Sequence, residues 1–325
     1  MGTNLFTGQN MSNGAVMPAI QQPTQYAGYT APIPQQKLQG IRIPFGYVVT
    51  FNSYTATATA GTLGADNTQN IITNPDSSFE VIKQLKYDTG GGNGYIKVLS
   101  NQNVSIYGVS NAVNDFNGYA NINTVFGNSD FYPQFEQPLI FPPSRQMSLA
   151  YADISGTSGN LTLLYFGNKV YPNNSLYASS SYIRANVPTG SYPKQYPVTL
   201  TITQALGTAS ATISIPQGQN FVWTGVAIND SAYPVSINFT LPQMSGQQLF
   251  SSSIVSRMIS GTSTSNAPAN GITLSGIRPF MFPSYLNLVE NSSIVVNISD
   301  FLNKSNYNTD VTLYGYITSQ ANMGY

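Results

Sequence analysis

Asp88-Thr89-Gly90 matches the triplet that carries the carboxylate of an aspartic protease. That chemistry needs two such carboxylates, close enough to share one proton. The second half of the chain holds no Asp-Thr-Gly or Asp-Ser-Gly to complete the pair. A glycosidase also needs paired carboxylates, roughly 5–10 Å apart. The 12 acids stand singly, at Asp66, Asp76, Glu80, Asp88, Asp115, Asp130, Glu136, Asp153, Asp230, Glu290, Asp300 and Asp310. Surface solvation and loop hydrogen bonds are the ordinary use of acids so placed. Asn128-Ser129-Asp130 offers oxygens of the kind calcium takes, with no ligand spacing behind it. His and Cys are both absent. That excludes a Ser-His-Asp triad, a Cys-His pair, imidazole and thiolate metal ligands, and any disulfide framework. There is no Gly-Lys-Ser/Thr phosphate loop, and the cluster from Gly90 to Gly94 lacks dinucleotide spacing. The expectation is a protein that is not an enzyme, with no catalytic residues, no cofactor and no metal site.

Binding chemistry is equally thin. Lys83, Lys86 and Lys97 form the closest grouping of basic residues. Nucleic-acid binding takes several clustered Lys or Arg on phosphates, so no direct nucleic-acid binding is expected. Aromatics are plentiful, with 22 Tyr, 16 Phe and 1 Trp. A glycan-binding surface would lay some of them flat. Most fall at strand positions, where burial is the default. Trp223 is assigned to the core on that ground.

The elements that would position these residues read as β throughout. Single cores stop growing near about 250–300 residues, so 325 residues predict two domains. Hydrophobic residues make up 41%, enough for real cores, but charged residues only 7%, against roughly 25% in ordinary soluble domains. With 12 basic and 12 acidic residues the formal net charge is zero. A surface so poor in charge suits burial against other copies, because interface cores exclude charge. No basic leader with an apolar run and no membrane-length apolar stretch is seen, and Phe6 stands where a myristoylation site wants Ser or Thr. The expectation is a soluble chain made in a cytoplasm.

Residues 1–38 read as an extended arm; the first 36 carry no charge and are rich in Gln, Asn, Pro and Gly. Short alternating strands follow, for example Tyr47–Phe51, Tyr95–Leu99, Asn103–Tyr107 and Leu161–Phe166, separated by Gly/Asn/Ser turns such as Ser155–Asn160. That spacing predicts a sandwich or barrel over residues 39–168. Residues 169–196, with Pro172, Pro188 and Pro193, read as a linker. Alternation resumes at Val198 and predicts a second sandwich over 197–325. Leu249, Phe250, Ile254, Met258 and Ile259 share one face at helical spacing, which predicts one short helix.

Three phrases occur twice in the same order. Ile41–Gly46 is echoed by Ile213–Gly218, Pro138–Pro142 by Pro279–Pro283, and Leu161–Tyr165 by Val311–Tyr314. The offsets are 172 (41 to 213), 141 (141 to 282) and 150 (162 to 312). Read as a duplication, they give the first copy a loop insertion of 31 residues (172 minus 141), within 52–94 or 108–136.

A neutral arm, two similar sandwiches and these doubled phrases resemble the double jelly-roll major capsid proteins, including the adenovirus hexon and the coat proteins of tailless icosahedral phages with an internal membrane. The resemblance is architectural, covers residues 39–318, and transfers no site residue. It implies an all-β chain of two tandem eight-stranded jelly rolls, three of which make a pseudo-hexagonal capsomer of an icosahedral shell. The implied partners are a homotrimer, neighbouring capsomers, penton or minor capsid proteins and an internal lipid membrane. The implied location is the virion. The alternative from sequence is a phage spike or receptor-binding β-protein that recognises host glycans.

Overall fold

The computed structural model describes residues 40–89, 93–100, 119–127, 134–172, 183–184, 190–230, 233–259 and 279–319. Eight strands come first: β1 (Ile41–Phe51), β2 (Asn67–Ile72), β3 (Ser78–Asp88), β4 (Gly94–Ser100), β5 (Ala120–Asn121), β6 (Gln134–Phe141), β7 (Gln146–Asp153) and β8 (Leu161–Tyr171). A single helical turn, α1 (Ile122–Val125), follows β5. The short strand β9 (Ile183–Arg184) precedes the second set. That set is β10 (Tyr192–Ile202), β11 (Thr208–Ser214), β12 (Gln219–Asn229), β13 (Ser236–Leu241), β14 (Gln247–Gln248), β15 (Ile254–Val255), β16 (Phe280–Leu288), β17 (Ser293–Ser299) and β18 (Tyr307–Ser319).

The strands form four antiparallel sheets. In the first sandwich, β1-β8-β3-β6 lies over β2-β7-β4-β5. In the second, β10-β18-β12-β16, extended by β9, lies over β11-β17-β13-β14, with β15 also pairing β13. Leaving β9 and β15 aside, both sandwiches read first-eighth-third-sixth over second-seventh-fourth-fifth. The chain is therefore an all-β protein of jelly-roll-like sandwiches.

Burial patterns follow from the residues. β17, Ser-Ile-Val-Val-Asn-Ile-Ser, alternates half-buried and buried positions, as a strand with one face in a core must. β8 is buried at every residue. Its Leu163 and Tyr165 enter the core of the first sandwich, while Leu164 and Phe166 enter the core of the second. That double burial explains an unbroken apolar run in place of alternation.

The two sandwiches repeat one strand order, in a different register from the one the doubled phrases suggest. Residues 41–46 lie on β1, the first strand of its sandwich, but 213–218 lie at the end of β11, a second strand. Those two phrases are not equivalent. The true echo of β1 is on β10, where Pro44-x-x-Tyr47-x-Val49-Thr50 becomes Pro193-x-x-Tyr196-x-Val198-Thr199, an offset of 149. A matched bulge fixes the rest. β3 slips register between Val81 and Lys83, opposite Gly167; β12 slips between Trp223 and Gly225, opposite Gly315. A Cβ on Gly167 would stand 1.7 Å from the Glu80 carbonyl oxygen, and one on Gly315 2.2 Å from that of Val222. Only glycine admits so close a backbone approach. Through this bulge Val81 matches Trp223, an offset of 142, and their partners on the sixth strands, Leu139 and Leu286, differ by 147. The phrases at 138–142 and 279–283 thus share the sixth strand but sit six residues out of register. Those at 161–165 and 311–314 share the eighth strand, two residues out. Even slips keep side chains on one face, which is why the apolar pattern concealed them. The 31-residue excess falls with the first pair. The first copy has 7 more residues between its first and third strands (149 minus 142), and the second regains 5 before its sixth (147 minus 142).

The helix expected around Leu249–Ile259 is not formed. These residues run through β15 and a 3-10 turn at Ser256–Met258. The five apolar side chains are buried in the second core all the same. Tertiary pairing with β13 overrides a weak periodicity in a Ser-rich run. Asn103–Tyr107 lies outside the described residues.

Candidate functional site

Among the described residues, several acids singled out in the sequence make structural hydrogen bonds or ion pairs. The Asp88 carboxylate accepts from the Tyr54 hydroxyl at 3.5 Å, and Gly90 lies outside the described residues. Glu80, buried on β3, takes both ends of a fork from Arg42 on β1, Nε and Nη2 each at 2.9 Å. Asp310 accepts from the Thr199 hydroxyl at 2.6 Å, and Glu290 from the Gly218 amide at 2.6 Å. Among the described residues no three Asp or Glu gather where they could hold a metal ion. Asn128–Asp130 is outside them.

The three lysines part company. Lys83 is buried, donates to the Met281 carbonyl at 2.6 Å, and lies 4.4 Å from the Phe280 ring centroid. Burial lowers its pKa to about 8. Lys86 bonds Asn123, and Lys97 sits over the Tyr119 ring at 5.2 Å. Each of the three meets a different set of groups. Trp223 is fully buried, donates to the Gly225 carbonyl at 2.8 Å, and meets Phe239 and Phe282 edge-on. It is a core residue, as expected.

Two features organise the molecule instead. The first is a duplicated loop clamp. Asp153 ends β7 and accepts from the amides of Thr57 (3.1 Å), Ser155 (3.0 Å) and Gly156 (2.9 Å) and from the Ser155 hydroxyl (2.6 Å). Asp300 follows β17 and accepts from the amides of Leu206 (2.9 Å), Leu302 (3.2 Å) and Lys304 (2.9 Å) and from the Tyr307 hydroxyl (2.9 Å). The two acids are 147 residues apart, and Thr57 and Leu206 are 149 apart, as are their first strands. The turns before β7 and β17 match as well, with Ser144 at φ 53° and Asn291 at φ 61°, again 147 apart. Burial pushes both carboxyls up. The hydrogen bonds from Ser155, Thr57 and Gly156 for Asp153, and from Leu206, Lys304, Tyr307 and Leu302 for Asp300, outweigh it and hold both below the usual carboxylate value. Each Asp ties the loop after the seventh strand to the loop after the first. The signal was present in the sequence as Ala152-Asp153 and Ser299-Asp300 after two alternating strands. Single acids in loops carry no motif, so it was legible only once the strands were aligned.

The second feature is the junction between the sandwiches. Ile43, Leu85, Leu164, Phe166 and Tyr171 of the first sandwich belong to the core of the second. The Phe166 ring lies 6.0, 4.9 and 5.9 Å from those of Phe250, Phe280 and Phe282. Backbone bonds cover the edge of β1. The Gly46 amide donates to the Leu249 carbonyl (3.0 Å), and the Gly46 carbonyl accepts from the Ser251 amide (2.8 Å). The Val48 amide donates to the Ser251 hydroxyl (2.8 Å). A Cβ on Gly46 would meet Leu164 at 2.6 Å and Phe250 at 2.8 Å, so the close approach requires glycine. The Ser284 hydroxyl donates to Asn168 at 2.7 Å, and Lys83 reaches Met281 across the same seam. At its margin Asp230 is buried, accepts from Ser256 at 2.5 Å and lies 3.7 Å from Arg257. Burial raises its pKa, against the pull of Ser256 and Arg257.

This arrangement offers two β-units of one strand order fused through an apolar seam. No family model matches the chain, and no curated protein sequence does. Among solved structures it is similar to the VP2 subviral particle of infectious bursal disease virus, at 11% identity over 89% of this chain and 75% of that one, with a TM-score of 0.19. It is also similar to T=1 particles derived from infectious bursal virus, at 12% identity over 88% and 71%, with a TM-score of 0.16. TM-scores this low establish no shared fold.

Proposed function

We propose that this chain is a viral major capsid protein of the double jelly-roll type. In this reading three copies form a pseudo-hexagonal trimer, and trimers tile an icosahedral shell. The observation that carries it is the pair of sandwiches with one strand order, fused through a common core. A chain that presents the same unit twice supplies six units from three copies, and a ring of six can close. The scarcity of charge supports the reading: at 7%, little of the surface resists burial against neighbours. Among the described residues Asp153 and Asp300 hold loops and Lys83 holds the seam, and in this reading the chain acts by self-association. An internal-membrane phage, with penton or minor capsid proteins as further partners, suits a chain whose closest-spaced lysines, Lys83, Lys86 and Lys97, each meet groups of the protein itself. A sugar-binding spike is less well supported, because the lone Trp is in the core.

Sedimentation velocity of the purified chain tests the proposal. The expected species is a trimer of the 35.0 kDa chain. A monomer persisting at high concentration overturns it. Electron microscopy of the virus that encodes the chain should then find it as the shell's most abundant protein; a few copies at vertices would favour the spike.

A further inference from the structure

β1 and β10 are equivalent first strands, and each lies at the edge of its sheet. The edge of β1 is covered within the chain by residues 249–251 of the second sandwich. Among the described residues no backbone hydrogen bond covers the edge of β10. Pro44 and Gly46 are buried, whereas their equivalents Pro193 and Gln195 are exposed; Val48 is half-buried and its equivalent Pro197 is exposed. We propose that the edge of β10 is the surface onto which a second copy of this chain docks, through that copy's first sandwich. The inference rests on the trimer reading above and assigns the strand that makes its contact.

Three observations carry it. First, the occupant has a template: in this chain, what covers a first-strand edge is the neighbouring sandwich. Repeating that head-to-tail contact from the second sandwich of one chain to the first of the next generates a ring. Second, the edge is built for one bridge. Pro193 and Pro197 pair with Tyr316 and Thr312 of β18, yet have no N–H to give. Their nitrogens therefore face away from β18, and so does the Gln195 amide between them. Gly46 uses its outward amide and carbonyl for the bridge to Leu249 and Ser251. Gln195 holds the matching position, flanked by prolines that forbid a running strand addition. Third, the exposed alternate positions of β10, Pro193, Gln195, Pro197, Thr199 and Thr201, carry no charge of their own; the charges beside them are engaged within the chain, Asp310 by Thr199 at 2.6 Å and Lys194 over the Tyr196 ring at 5.2 Å.

The test is assembly of the full chain by sedimentation velocity, with Gln195→Pro and Gln195→Lys, and with Ser210→Lys on β11 as a control. The expected result is a trimer for the unsubstituted chain and the control. The two Gln195 variants keep their melting temperature and dissociate at roughly 100-fold higher concentration, since a lost bridge or a buried charge weakens docking by that order. Trimers unchanged by both substitutions overturn the assignment of β10 and leave the capsid reading standing. A monomeric unsubstituted chain removes both. A symmetric dimer locked by a disulfide in Gln195→Cys also overturns the assignment, because a head-to-tail contact keeps the two Gln195 positions apart. Should the variants not fold, hydrogen exchange on the unsubstituted chain decides: residues 192–202 gain protection on assembly, or the assignment fails.

Discussion

The same phrase, Pro-x-x-Tyr-x-Val-Thr, lives in two environments in this molecule. On β1 it is covered on both faces and along its edge; on β10 its outward side is bare. The strands share register and position in their sheets. What differs is the neighbour. β1 meets Phe250 and Leu249 within the chain, and its glycine makes room for them. The burial of a strand is therefore set by what packs around it as much as by its own residues.

Substitutions at equivalent positions can break or sharpen that comparison. The largest contrast is on the eighth strands. Phe166, fully buried in the seam, matches Tyr314, which is half-buried. Phe166→Ala should cost about 4 kcal/mol in chemical denaturation, from lost burial and a cavity, and Tyr314→Ala in the monomer about 1–2 kcal/mol. Equal losses would mean that the seam does not hold the sandwiches together. Next is the edge swap. Gly46→Gln forces a side chain into Leu164 and Phe250 and should cost about 3 kcal/mol, while Gln195→Gly costs only about 0.5–1 kcal/mol for a strand glycine. The clamps come third. Asp153→Ala and Asp300→Ala each take the shared acceptor from three backbone amides and should cost about 2 kcal/mol, equally if the two loops are true equivalents.

The smallest effect is in pH. Asp153 and Asp300 titrate below the ordinary value of 3.8 when folded, so their stabilisation is complete above it and drains away as pH falls through their lowered values. Asp230 has the opposite sign. Its folded pKa is raised, so its favourable contribution is full below 3.8 and is lost as pH rises through the raised value. Melting temperature against pH should therefore fall on acidification with the two clamps intact. Asp230→Asn should flatten the stretch above pH 3.8 and leave the acid limb unchanged.

Much of the strand content was legible because alternation is local. A strand with one buried face must show period two, and Val198–Ile202 or Ser293–Ile298 show it without reference to any partner. The absence of His and Cys excluded whole classes of chemistry on the same local basis. The register of the repeat was not legible. Side chains return to one face every second residue, so slips of two or six residues look alike in a β-rich chain. The matching of Ile41–Gly46 to Ile213–Gly218 went further astray, joining a first strand to a second one. The helix expected near Leu249 failed for a related reason, since apolar spacing cannot tell a helix face from two short pairings. The clamp acids were invisible because an Asp in a loop is ordinary until its amide donors are placed around it.

By itself, then, the sequence determined an all-β chain, poor in charge, without the groups of common catalysis, and built twice. Only the tertiary structure decided which residues are equivalent, because a bulge set against Gly167 and another against Gly315 pin a register that period two leaves free. Only the tertiary structure decided which first strand is buried and which is exposed, because the cover of β1 comes from residues some 200 positions away in the chain, as Gly46 and Leu249 are. Propensity acts over a few residues. Pairing and packing act across the whole fold, and the equivalence of the two sandwiches resides there.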